Sequence, residues 1–218
     1  MITIVFIILI GWVGYSLSDK IQKMKYVLYA VFTVLGVLSI VFRNVPISIP
    51  IIRGFLGFAF FYIVMITGVF NRESKIYKRL YSVRSIYSII GFIILTPHAI
   101  FYIVDKFANN GLFDIVGLAA YLLMIPLFVT SFQKIDNPKV MFKWKKLQRF
   151  AYLAYLLIFI HLIIVAEMPN MAMYIVLFVP YILYKPYHFI KHEKPYYIKM
   201  KKRLNQNNIE EEKNNRNI

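Results

Sequence analysis

Residues 147–164, LQRFAYLAYLLIFIHLII, decide the fold class. From Phe150 onward every side chain is aliphatic or aromatic except one, that of His161. A helix of about 20 apolar residues crosses a hydrocarbon core, so the stretch reads as a membrane-spanning helix. An imidazole placed inside hydrocarbon is costly unless it bonds to something. The same 18 residues therefore raise the question of fold and the question of a site.

Outward from this stretch the rest of the chain repeats its character. Of 218 residues, 60% are hydrophobic, and the mean hydropathy is +0.62. Seven apolar segments are predicted to be helices, over about 2–17, 26–42, 47–70, 84–104, 111–132, 147–166 and 171–184. The expected class is an all-α polytopic membrane bundle of about seven spans. The segment at 2–17 lacks the basic start and small-residue exit of a signal peptide, so it is kept as a span.

The net charge of +16 does not point to nucleic acid, because the basic residues sit in short loops between apolar runs. Three, five and six Lys or Arg follow the first, third and fifth segments, and nine follow the seventh. That puts 23 on one side, against only Arg43, Arg53 and Lys106 on the other. Basic loops stay in the cytoplasm, which predicts an outside N-terminus and a cytoplasmic C-terminus. The run 185–203, KPYHFIKHEKPYYIKMKKR, mixes cations with aromatics and is expected to anchor on anionic lipid. His188 and His192 within it are four apart but form a lesser metal candidate. The final NQNNIEEEKNNRNI is low in complexity, and its composition predicts disorder.

There are no cysteines, which excludes disulfides and thiolate metal sites. Histidine is left as the only soft ligand, and two of the four histidines lie inside spans. His98 is 14 positions after Arg84, and His161 is 14 after Leu147. At about 1.5 Å per residue both sit roughly 21 Å above the inner boundary. Gly91 and Ala154, each seven residues earlier on the same stripe, are expected to leave clearance for a flat ring between the two helices. Two imidazoles facing across such a gap are predicted to ligate one haem iron; the alternative is that each hydrogen-bonds a neighbouring backbone group or Tyr, with no cofactor. Pro97 is expected to distort its helix beside His98. Glu73, Asp105, Asp114, Asp136 and Glu167 fall singly in loops, unpaired for acid–base work, and no glycine-rich phosphate loop occurs.

These residues resemble a known family. MFKWKKLQRFAYLAYLLIFIH (141–161) is similar to the G-x-x-W-x-x-L-H-x-x-x-Y-L-x-x-x-L-x-x-x-H pattern of the ferric-reductase-like transmembrane domain, through Trp144, Leu147, Tyr152, Leu153, Leu157 and His161. MIPLFVTSF resembles that family's P-L-x-x-T-S helix end, on Pro126, Leu127, Thr130 and Ser131. RSIYSIIGFIILTPHAIFY (84–102) is similar to its R-x-L-x-G-x…H helix, which sets His98 on the family's haem ligand. Within the family the likeness is greatest to the haem-binding membrane subunits of bacterial periplasmic methionine sulfoxide reductase systems.

The resemblance implies a six-helix haem-binding domain over 26–185, an extra N-terminal span over 1–25 and a basic tail over 186–218. It implies a b-type cytochrome of the bacterial inner membrane, the electron-transfer subunit of an oxidoreductase, with His98 and His161 as axial ligands. Quinone or flavin, FMN included, would be the donor, and an outward-facing redox protein or ferric iron the acceptor. By position near the outer helix ends, Arg53, Tyr102 and Lys106 are candidates to meet haem propionates, against the commoner role of interfacial anchors, and Arg84 and Arg149 are candidates to hold a flavin or quinone headgroup, against the commoner role of topology determinants. The family carries a further histidine 13 residues before the one at 161. Here that position is Gln148, so one haem rather than two is expected. The alternative is a cofactor-free membrane scaffold or small transporter on a decayed version of the same fold.

Overall fold

Nine α-helices and one 3₁₀ turn make up the regular structure among the described residues, with no strand. In this computed structural model these residues are 2–109, 114–132, 144, 146–166, 168, 170–188, 190, 198 and 206. In chain order the helices are α1 (Ile2–Ser16), α2 (Ser18–Lys23), α3 (Lys25–Val41), α4 (Ile49–Ile52), α5 (Phe55–Thr67), α6 (Lys75–Ala108), α7 (Ile115–Ser131), α8 (Phe150–Val165) and α9 (Asn170–His188). Eight of them carry the seven apolar segments of the sequence, with α4 and α5 sharing 47–70. The loop lysines at 134, 139, 143 and 145, the His188 and His192 side chains and nearly all of the basic tail lie outside the described residues.

Two stretches are long and apolar enough to cross a membrane, Lys75–Ala108 and Lys146–Val165. A third crossing is formed if Pro46–Ile52 and Phe55–Thr67, bent by 45° at their junction, act as one. Ile2–Ser16, Lys25–Val41, Ile115–Ser131 and Asn170–Tyr184 are apolar but shorter. The chain is a membrane protein by these helices.

The sequence FLGFAFFYIVMIT explains why α5 sits at the centre. It is apolar all round, and such a helix is buried on every face. Every residue from Gly57 to Met65 is buried. Gly57 brings α5 against the α6 backbone, where an added Cβ would lie 3.1 Å from both the N and Cα of Leu95. On the other flank, Phe58 and Tyr62 meet Phe178, and the Tyr62 hydroxyl donates to the Leu177 carbonyl of α9 at 2.9 Å.

The N-terminal helix is an integral part of this core. Gly11 lies against Ile63 and Gly14 against the Tyr87 ring, and the Tyr87 hydroxyl donates to the Ile10 carbonyl at 3.0 Å. α6 begins where Ser74 caps it by accepting from the Tyr77 N–H, and it continues unbroken through Pro97. Proline leaves the carbonyl four residues back without its donor; here that group is Ile93, with the bare Cα of Gly36 in α3 beside it.

The break between α4 and α5 positions the site. Gly54 stands just past the end of α4 with φ of +75°, a left-handed conformation that favours glycine. The last carbonyls of a helix lack intrahelical donors, so this break exposes the Ile52 carbonyl to a neighbour.

Candidate functional site

α6 and α8 both pack on α7, and His98 and His161 meet between them. Their ring centroids are 6.3 Å apart and their planes cross at 62°. The shared depth expected from the sequence therefore corresponds to real proximity.

Each ring is held by Nδ1. His98 Nδ1 is 2.8 Å from the Ile52 carbonyl oxygen. A carbonyl only accepts, so Nδ1 carries the hydrogen. His161 Nδ1 bonds to the Asp114 carboxylate. An ionised carboxylate likewise only accepts. In a neutral imidazole the hydrogen on Nδ1 leaves Nε2 with a free lone pair. With a hydrogen on each Nδ1, a neutral ring at either position would present Nε2 as an acceptor.

Asp114 was read from the sequence as an isolated loop carboxylate, and the structure corrects this. Its Oδ1 caps α7, accepting from the Val116 and Gly117 N–H groups at 3.0 and 3.1 Å. Its Oδ2 takes His161. Its own N–H donates to the Tyr102 hydroxyl. The available signal was local: an Asp directly before an apolar run is a helix N-cap. That it would also reach a histidine 47 positions on had no sequence signal.

The expected clearance residues fall elsewhere. At Gly91 an added Cβ would lie 3.1 Å from the Phe60 Cβ and 3.2 Å from the Phe61 ring, so this glycine admits α5. Ala154 is 1% exposed and lines a different cavity, nearer the inner end. Seven residues put both about 10.5 Å from the imidazoles along their helices. The bare positions that do flank the rings are Gly54, whose added Cβ would lie 3.2 Å from the His98 ring, and Gly117, where it would lie 2.7 Å from His161 Nδ1.

Two cavities follow the helices. The outer one, about 90 Å³, is lined by both histidines with Arg53, Gly54, Tyr102 and Gly117 among others. Lys106 stands over the Tyr102 ring at 5.7 Å from its centre. The inner one, about 540 Å³, carries Arg72, Arg84 and Arg149, with Tyr77, Tyr81 and Gln148. Phe61 and Met124 line both cavities and so divide them. Gln148 has a structural partner, donating from Nε2 to Thr130 Oγ1 at 2.9 Å. Trp144 donates to the Thr130 carbonyl at 3.0 Å, and Ser85 to the Ser131 carbonyl at 2.9 Å. The residues of the sequence motifs thus converge on the inner end of α7.

The spacing of the two ring centres, 6.3 Å, can be compared with that of two imidazoles on one metal. Metal–imidazole bonds of about 2.0 Å on each side, with the nitrogen about 1.1 Å from the ring centre, separate two centroids by about 6 Å. No cluster of three or more His, Cys, Asp or Glu occurs among the described residues, so a bare ion would have only two protein ligands. A macrocycle supplies the remaining ligands itself. It needs several hundred cubic ångströms, and the cavity that holds the two histidines, at about 90 Å³, does not supply that space. Comparison of the chain with family models, curated proteins and solved structures finds no match.

Proposed function

We propose that the chain is a membrane b-type cytochrome carrying one haem between His98 and His161, an electron-transfer subunit of the ferric-reductase-like kind. The observation that carries the reading is the pair of imidazoles tied through Nδ1, with centroids 6.3 Å apart. Such a haem, when bound, would supply one-electron chemistry. His98 and His161 are the residues that would hold it. The Ile52 carbonyl and the Asp114 carboxylate fix the two rings. Arg53 and Tyr102, on the wall of the outer cavity, and Lys106 beside Tyr102 offer donors to propionates. Arg84 and Arg149 in the inner cavity receive the headgroup of a quinol or flavin, FMN among them. The acceptor is an outward-facing redox partner, such as a methionine sulfoxide reductase, a flavoprotein or ferric iron.

In this reading the seven apolar segments are seven crossings of a bacterial inner membrane, the four shorter ones through thinned bilayer or interfacial ends. The similarity of 84–102, 124–132 and 141–161 to the family's motifs supports it. The basic side of the loops supports an outside N-terminus.

The test is the absorption spectrum of the protein purified from haem-replete cells. Reducible b-type bands at about one haem per chain are expected, and both His98→Ala and His161→Ala should abolish them. Bands that persist in either variant would remove that histidine as a ligand. A colourless preparation would instead favour the second reading, a cofactor-free scaffold or small transporter, for which the small outer cavity and the hydrogen-bonded Gln148 speak.

A further inference from the structure

We infer that the inner cavity is a binding site for an anionic lipid, with its phosphate on the wall that carries Arg72, Arg84 and Arg149 and an acyl chain along the apolar wall beyond. The inference needs no haem. It concerns a cavity that the cytochrome reading leaves to a quinol or flavin, which would then have to displace the lipid. The wall holds three guanidinium groups and no Asp or Glu. Glu73 follows Arg72 in the chain but does not line the cavity. Arg84 is half-buried, and the side chains that act on it are Tyr155, Tyr152, Tyr81 and Tyr77. These phenols are neutral at physiological pH. A cation drawn out of water is costly without an opposite charge. The described wall supplies none to Arg84, so an anion from outside meets the need. Planar guanidinium groups match phosphate oxygens bidentately, and basic pockets between membrane helices hold lipid phosphates.

The shape of the cavity decides which kind of anion. At about 540 Å³ it has the volume of a pocket for a drug-sized molecule. Tyr77 and Phe92 both line it and stand 15 positions apart on α6, which is about 22 Å of helix. Beyond the arginines the wall is Phe61, Met124, Leu127 and Phe128, and Phe92 stacks on Phe128 with ring centres 4.4 Å apart. A bare phosphate would leave this apolar length uncovered. A lipid covers it, and the burial of its chain adds to the charge pairing.

The experiment uses the full-length protein in neutral-detergent micelles, with native mass spectrometry to count the lipids retained per chain. Dioleoyl phosphatidic acid should saturate at about one per chain. Phosphatidylcholine with the same acyl chains should not be retained, and inorganic phosphate at equal concentration should not compete. Arg84→Gln should weaken the phosphatidic acid complex at least about tenfold, and Arg72→Gln several-fold. Lys23 is exposed and lies off the cavity wall, so Lys23→Gln removes a charge from the same basic side and should leave binding unchanged. A loss in Lys23→Gln equal to that in Arg84→Gln would overturn the inference by assigning the lipid to the surface field. Equal retention of phosphatidylcholine would overturn it by leaving only an apolar groove. Competition by inorganic phosphate would overturn it in favour of a soluble phosphate. If Arg84→Gln does not fold, the exposed Arg72 decides, and equal affinities in Arg72→Gln and Lys23→Gln would overturn it. None of these outcomes depends on a haem spectrum, so this inference and the cytochrome reading fail separately.

Discussion

Gly117 and Gly36 look alike in the sequence and differ in what surrounds them. At Gly117 an added Cβ would lie 2.7 Å from a ring nitrogen that is itself pinned by Asp114. Gly117→Ala should therefore cost about 1–3 kcal/mol through displacement of the imidazole, read as an earlier thermal unfolding transition. At Gly36 the nearest atom is the Pro97 Cγ at 3.6 Å, an ordinary contact. Gly36→Ala should be neutral or stabilising by up to about 1 kcal/mol, the helix propensity gained. A Gly117→Ala variant as neutral or stabilising as Gly36→Ala would show that helix propensity, and not the clash at His161, governs Gly117. The histidines themselves were legible, since an imidazole in an apolar run demands a partner. The partners were not: Ile52 offers a backbone carbonyl, which has no residue signature, and Asp114 lies 47 positions from His161.

At the level of elements, the interface between α5 and α6 is set by a single missing side chain. An added Cβ at Gly57 would lie 3.0–3.1 Å from the Cβ, Cα and N of Leu95. Two of these are backbone atoms, which do not rotate away. Gly57→Ala should force the helices apart and cost about 1–3 kcal/mol. Because His98 and Leu95 are one turn apart on α6, the same variant should also weaken any spectral signature of the histidine pair. Stability retained within a few tenths of a kcal/mol would mean that α6 shifts without penalty. The existence of the apolar helices was readable from their composition. Their bounds were less so. The predicted segment 47–70 is two helices bent by 45°, because Gly54 adopts a left-handed conformation. The predicted span at 84–104 is the middle of a helix that starts at Lys75, because Ser74 supplies the cap and helix continues beyond the hydrocarbon. The distortion expected at Pro97 does not end α6.

For the whole molecule, the split of 23 basic residues against three makes a prediction about sidedness. Reporter fusions or membrane-impermeant labelling in intact cells should find the chain's C-terminus and the loop after α5 inside, and the α6–α7 connection outside. Labelling of the α5–α6 loop from outside would reverse the topology and place the histidine pair in the inner leaflet. The sequence by itself determined the membrane class, the apolar helices and the presence of a histidine in each of two of them. These follow from composition and from the fixed rise of a helix, which are local. Only the tertiary structure decided which atoms face one another. The Ile52 carbonyl, the Asp114 carboxylate, Gly54 and Gly117 converge on the imidazoles because a helix break and a helix cap from distant segments meet there. Gly91 and Ala154 drop away from the rings for the same reason: which neighbour a helical position faces is fixed by packing between helices, and no periodicity within one helix encodes it.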